Sequence, residues 1–203
     1  FQYVKGGLLI DGELKKVKVK YRGDFSYHWG WDKKSIRVKT GKNNLFQGLR
    51  AFNLQAPKRD PQLNNFLSLK LAKTLGLLAP HTEIVRLFLN GQDRGVYIFV
   101  EQPSETTLRD ARLMPGDLYR GEIVGKDSFT FLGKNNKMKL FDSLSYWDKV
   151  AINNHYDPES LAPLEKLLKL VKGRKSPRSQ ALLSEIMDMG AWGRFSVFET
   201  LAS

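Results

Sequence analysis

From Val17 to Lys39 the sequence reads VKVKYRGDFSYHWGWDKKSIRVK, two alternating runs around a loop that holds Gly23, Ser26 and Gly30. In the first run Val17, Val19 and Tyr21 share one face, and Lys16, Lys18, Lys20 and Arg22 share the other. Successive side chains of a strand point to opposite faces, so this period of two predicts a half-buried strand rather than a helix. In the second run Ile36 and Val38 form the apolar face, and Lys34 falls on their parity. A buried ammonium is costly unless it meets an anion or a carboxylate. Lys34 therefore has two readings: a strand-end lysine that bends its stem out to water, or a lysine at the mouth of a cleft, placed for phosphate.

The 203 residues, 41% of them hydrophobic, suffice for one large domain or two small lobes with a real core. No apolar run reaches the length that a membrane span needs. The chain has no cysteine, which excludes disulfide frameworks and cysteine-ligated zinc. It opens on Phe1 rather than Met, which reads as a trimmed or processed start, so the lack of a visible signal peptide is uninformative. The net charge of +12 points to an anionic partner without choosing among nucleotide, nucleic acid, acidic protein and envelope surface. The lysines are spread along the chain, so a solvated basic surface is the default reading.

Before the first alternating run, Leu8 to Ile10 reads as a strand and Asp11-Gly12 as a turn. Phe46 to Leu54 reads as another short strand, and Pro57 to Pro61 breaks the pattern. Gln62 to Leu75 predicts a helix with Asp60 as N-cap, Pro61 at its first position and Gly76 as its stop. Its stripe of Leu63, Phe66, Leu67, Leu71 and Leu75 is expected to pack on the sheet. Ile84 to Leu89, Asn90-Gly91 and Gly95 to Val100 predict a hairpin, with Glu101 on the parity of Tyr97 and Phe99. Ser104 to Arg112 reads as a capped short helix, and Asp117 to Val124 and Ser128 to Leu132 as strands. From Leu144 onward the chain reads as helical. One helix is opened by Asp157-Pro158 and closed by Gly173, a second is opened by Ser176-Pro177, and a third spans Trp192 to Leu201. Strands first and helices later predict an α+β fold: a sheet-rich lobe over 1–125 with one packed helix, then the start of a helical lobe over 126–203.

His28, His81 and His155 are far apart and in no metal-ligand spacing, and no GxSxG, Walker-A or GxGxxG sequence occurs. His81 reads as structural. A nucleic-acid-binding reading rests on charge alone, because no motif of that class accompanies it. The order of parts is more informative: strand, glycine-bearing loop, strand with an inward lysine, helix, then a hairpin ending in Glu101. Nucleotide kinases use a flexible loop over the phosphates, a strand lysine beside them and a chain crossing near the base.

Arg22-Gly23-x-x-Ser26 followed by Lys33-Lys34-Ser35-Ile36-Arg37-Val38 resembles the RGNSS…KKSYRLK signature of the CotH kinase family of spore-coat proteins. The resemblance continues through Asp60-Pro61, the LAKTLGL helix (Leu71 to Leu77) and Pro80. It then follows Val85-x-Leu87-x-Leu89-Asn90-Gly91, Arg94-Gly95-Val96-Tyr97 with Glu101, and Asp117-Leu118-Tyr119, covering about residues 15 to 125. It implies an atypical protein-kinase-like fold that binds ATP with Mg or Mn and phosphorylates protein serines. On this resemblance Lys34 is the phosphate-contacting lysine. Arg22, Gly23 and Ser26 lie in or beside the nucleotide loop, and Glu101 lies near the crossing between lobes or in a structural salt bridge. Arg37 and Arg94 are expected to be solvated or paired. Two departures stand out: Asn64 where the family usually has arginine, and the family's metal-binding and catalytic acids, which follow the helix that Trp192 to Ser203 resembles. Asp188 and Glu199 match a helix start and a helix face, so no catalytic base or metal ligand is assigned. These 203 residues are expected to bind nucleotide weakly and not to catalyse. The alternative is a non-catalytic module that docks an acidic protein partner in a bacterial coat or envelope. Spore coat, cell envelope and extracellular locations all fit the resemblance.

Overall fold

The computed structural model describes residues 1–23, 28–57, 63–121, 140–151, 161–173 and 177–202. Six strands, β1 (Val4–Ile10), β2 (Glu13–Tyr21), β3 (Ile36–Thr40), β4 (Ala51–Gln55), β5 (Thr82–Leu89) and β6 (Gln92–Glu101), form one antiparallel sheet. Their order is β1-β2-β3-β4-β6-β5. Helix α1 (Asn64–Thr74) joins β4 to β5, and α2 (Glu105–Asp110) follows β6. A second sheet pairs β7 (Leu118–Gly121) with β8 (Trp147–Ala151), and α3 (Ala162–Lys172), α4 (Pro177–Ile186) and α5 (Met189–Ala202) come last. The α+β reading holds.

Both expected hairpins form. Asn90 and Gly91 have φ of 52° and 76°, and Asp11 and Gly12 have 50° and 83°. Left-handed backbone at both central residues matches the twist of the flanking strands, and Asn, Asp and Gly enter it most readily. The strands run further than the apolar residues alone suggested, because ladder hydrogen bonds extend through exposed positions such as Val4 and Gln92.

Register then decides what is buried. Val19, Val38, Phe52 and Glu101 lie in one row across the sheet, and Tyr21, Ile36, Leu54 and Phe99 in the next. Val17, Val38, Leu49, Phe52, Leu54, Ala56, Tyr97 and Phe99 form the core cluster on this face, with Phe46 packed against it. Phe46 and Leu49 reach the core through the tight turn at Gln47 and Gly48, where the Leu49 N–H donates to the Phe46 carbonyl at 2.8 Å. The expected strand from Phe46 therefore begins only at Ala51, because the turn folds its first half back over the sheet.

Helix α1 packs on the sheet at β5 as expected, and also against α5; of the expected stripe, Phe66, Leu71 and Leu75 are half-buried. Its buried residue is Ala72, whereas Leu67 is 58% exposed and Leu63 lies at the surface. Gly76 closes α1 as expected: its N–H donates to the Lys73 carbonyl at 3.0 Å, and that of Leu77 to Ala72 at 2.9 Å. The expected cap at Asp60-Pro61 lies outside the described residues, as do the expected strand at Ser128 to Leu132 and the openings at Asp157-Pro158 and Ser176.

The stretch after Leu144 departs from expectation. One short 3-10 turn, Leu144–Tyr146, leads into strand β8, which pairs with β7. Trp147 favours a pleated surface, and with a partner strand at hand this outweighs the helical reading. The pairing joins residues on both sides of position 125. In α3 Leu164 and Leu168 are buried, while Val171 is exposed.

Candidate functional site

The loop between β2 and β3 is closed at its base by backbone hydrogen bonds. The Arg22 N–H donates to the Ser35 carbonyl at 2.9 Å, and the Ser35 N–H donates to the His28 carbonyl at 2.9 Å. The Ser35 side chain is buried, and its hydroxyl accepts from the Ala56 N–H at 3.1 Å. A buried hydroxyl with a partner costs little, whereas an orphaned one is expensive, so Ser35 ties the loop to the end of β4. The sequence reading had given it no role.

Gly23 turns the chain at φ 102°, a region that glycine enters without steric cost. An added Cβ would also overlap the His28 side chain. Gly23→Ala is expected to lose about 2 kcal/mol of stability through backbone strain and overpacking. A thermal melt checks this, and an unchanged melting temperature would show that the loop does not need glycine there.

Lys34 precedes β3 instead of lying within it, and it is half-buried. Its carbonyl accepts from the Tyr97 hydroxyl at 3.3 Å, and its ammonium lies 5.5 Å from the centre of the Tyr21 ring. Lys33 lies beside it, with its ammonium 5.0 Å from the centre of the Tyr97 ring. Burial lowers the pKa of Lys33 and the nearby carboxylate of Asp93 partly restores it. Burial raises the pKa of the Tyr97 phenol, with Arg94 opposing. Asp93 itself is engaged: it pairs with Arg86 and accepts from the Gly95 N–H at 2.8 Å. The tip of the β5–β6 hairpin thus sits against the lysine pair, a contact that spans some sixty residues of sequence. Arg94 donates to Gln92 at 2.9 Å, and Arg37 to Asn53 at 2.9 Å, so both meet the expectation of paired groups.

Arg22, Gly23 and Lys34 therefore share one end of the sheet, while Ser26 lies outside the described residues. Glu101 is elsewhere. It stands four residues beyond Tyr97 on β6, about 13 Å along the strand. It is 1% exposed, and both its oxygens are taken: one accepts from the His81 N–H at 2.9 Å and the other from the Thr107 hydroxyl. Of the two readings of Glu101, near the crossing between lobes or in a structural salt bridge, the second is not met among the described residues: hydrogen bonds from uncharged donors occupy its carboxylate. The His81 ring makes contacts within the fold, with its ring nitrogen 2.8 Å from Glu83 and its ring edge-on to Phe99. Among the described residues no three His, Asp or Glu side chains converge to hold a metal ion. Asp188 caps α5 through the Ala191 N–H at 2.9 Å, and Glu199 is exposed on that helix, as their sequence positions implied.

The loop, the lysine pair and the hairpin lie within a continuous match, over residues 19–203, to the family described as CotH kinase protein. The chain belongs to the CotH kinase family. This CotH-family chain is also similar to the inner spore coat protein H of Bacillus subtilis (strain 168), with 33% identity over 104 residues. That match covers 51% of this chain and 28% of the spore coat protein. The CotH match begins at Val19, inside β2, and runs through all three final helices. In this CotH chain the residues that carried the resemblance, Arg22-Gly23 and Lys33-Lys34-Ser35, are those that close the loop and line its mouth.

Proposed function

We propose that this chain is the nucleotide-binding part of a CotH-type protein kinase, taking ATP with Mg or Mn and directing phosphate to serines of a protein substrate. The observation that carries this reading is the family match through residues 19–203. The local geometry supports it: a pinned, glycine-bearing loop joins two antiparallel strands, with Lys33 and Lys34 at its mouth. Phosphates need a concentration of cations beside them, and Lys33 and Lys34 bring two to the end of the sheet that also holds Arg22 and Gly23. Ser26 belongs to the same loop by sequence. Glu101 has a different task, shaping the chain where it leaves the sheet toward Gln102 and Pro103.

The test is a melting-temperature titration with ATP and magnesium or manganese. Ligand at 100 times its dissociation constant stabilises by about 2.7 kcal/mol, a shift of about 5–11 °C for a chain of this size. Lys34→Ala is expected to melt like the parent and to lose that shift. An unchanged shift in the variant would remove Lys34 from the site. No shift at any ATP concentration in the parent would favour the non-catalytic docking module.

A further inference from the structure

On the face of the sheet opposite the aromatic core, β1 to β3 present six cations, beside Tyr3, Gly7 and the exposed pair Leu9 and Leu14. Lys5, Lys18 and Lys39 stand directly opposite one another in a single row across three strands. Lys20 and Arg37 form the adjacent row, and Lys16 extends the line along β2. None of these six has a carboxylate partner among the described residues. Arg37 is held by Asn53, and the Lys20 ammonium lies 4.9 Å from the centre of the Tyr3 ring. The ion pair in this part of the sheet, Lys15 with Glu13 at 2.8 Å, is on the other face.

Like charges directly opposite on neighbouring strands destabilise a sheet, and one glutamate in the row would relieve the repulsion. A face that breaks a local rule with no carboxylate among the described residues to offset it is a candidate functional surface. We propose that this face binds an acidic polypeptide in extended conformation, whose carboxylates lie over the lysine rows. The spacing suits such a ligand: same-face residues of β2 recur about every 6.7 Å, as do alternate side chains of an extended peptide. A nucleic acid is the poorer fit. Single strands bind by stacking bases on aromatic rings, and Tyr3, the ring in reach here, already carries the Lys20 ammonium. The proposal does not depend on the kinase reading, because its readout is binding alone.

The experiment uses the whole 203-residue chain and a fluorescent alternating Glu-Ser peptide, with an oligonucleotide of equal charge as competitor, at two salt concentrations. A variant carrying Lys16→Gln, Lys18→Gln and Lys39→Gln is compared with one carrying Lys70→Gln, Lys73→Gln and Lys166→Gln, which changes net charge equally elsewhere. Peptide binding that weakens with salt, falls about tenfold in the first variant and persists in the second supports the proposal. So does a melting temperature of the first variant equal to or above the parent's, since the repulsion is relieved. If the first variant fails to fold, Lys18→Gln alone, at the centre of the row, carries the same comparison with a smaller loss. Equal losses in both variants, no peptide binding, or tighter binding of the oligonucleotide would each overturn it.

Discussion

Phe52→Ala is expected to destabilise the protein by about 3–5 kcal/mol, lowering its melting temperature by about 6–20 °C. Phe52 is 2% exposed at the centre of the sheet. Its ring lies 4.8 Å from that of Phe99 and 5.3 Å from that of Phe46, centre to centre. Neighbours held in strands cannot collapse into the space a missing ring leaves, so the cavity adds to the lost transfer energy. Phe52→Leu, which refills much of the volume, should recover more than half of the loss. Thermal melts of both variants check the pair. Equal melting temperatures for Phe52→Ala and the parent would mean that the aromatic cluster does not hold the sheet.

Glu101→Ala should cost about 3–4 kcal/mol, because it orphans two buried donors at once, the His81 N–H and the Thr107 hydroxyl. Those donors belong to the start of β5 and to α2, so the carboxylate ties both to the last residue of β6. Glu101→Gln should cost only about 1 kcal/mol. Its amide oxygen can still accept from the fixed N–H, and the Thr107 hydroxyl can rotate to accept from the new NH₂ group. A melt in which the Gln variant falls as far as the Ala variant would contradict this assignment of partners. The Gln variant should also keep its response to ATP. Its loss without a change in melting temperature would return Glu101 to the nucleotide site.

Much of the candidate site was legible because its signals are local. Gly23 and the Lys33-Lys34-Ser35 run sit within one loop, and the alternation on either side placed them at strand ends. What could not be read was which groups from elsewhere meet them. Tyr97 and Asp93 reach the lysines only once β6 is laid beside β4, and no pattern near Lys33 announces a partner some sixty residues away. For the same reason the parity of Glu101 was readable, whereas its partners, His81 and Thr107, were not.

By itself, the sequence determined the elements whose causes lie within a few residues. These are the period-two strands, the Asn90-Gly91 turn, the Ser104 cap of α2 and the stop at Gly76. It also placed the chain in its family, because the motifs that carry the resemblance are contiguous. Only the tertiary structure decided that Trp147–Ala151 is a strand, since a short apolar run becomes helix or strand according to whether a partner edge is present. Packing likewise chose Ala72 over Leu67 as the buried side of α1. And only strand register set Lys5, Lys18 and Lys39 in one row, turning charges scattered along the sequence into a single basic face.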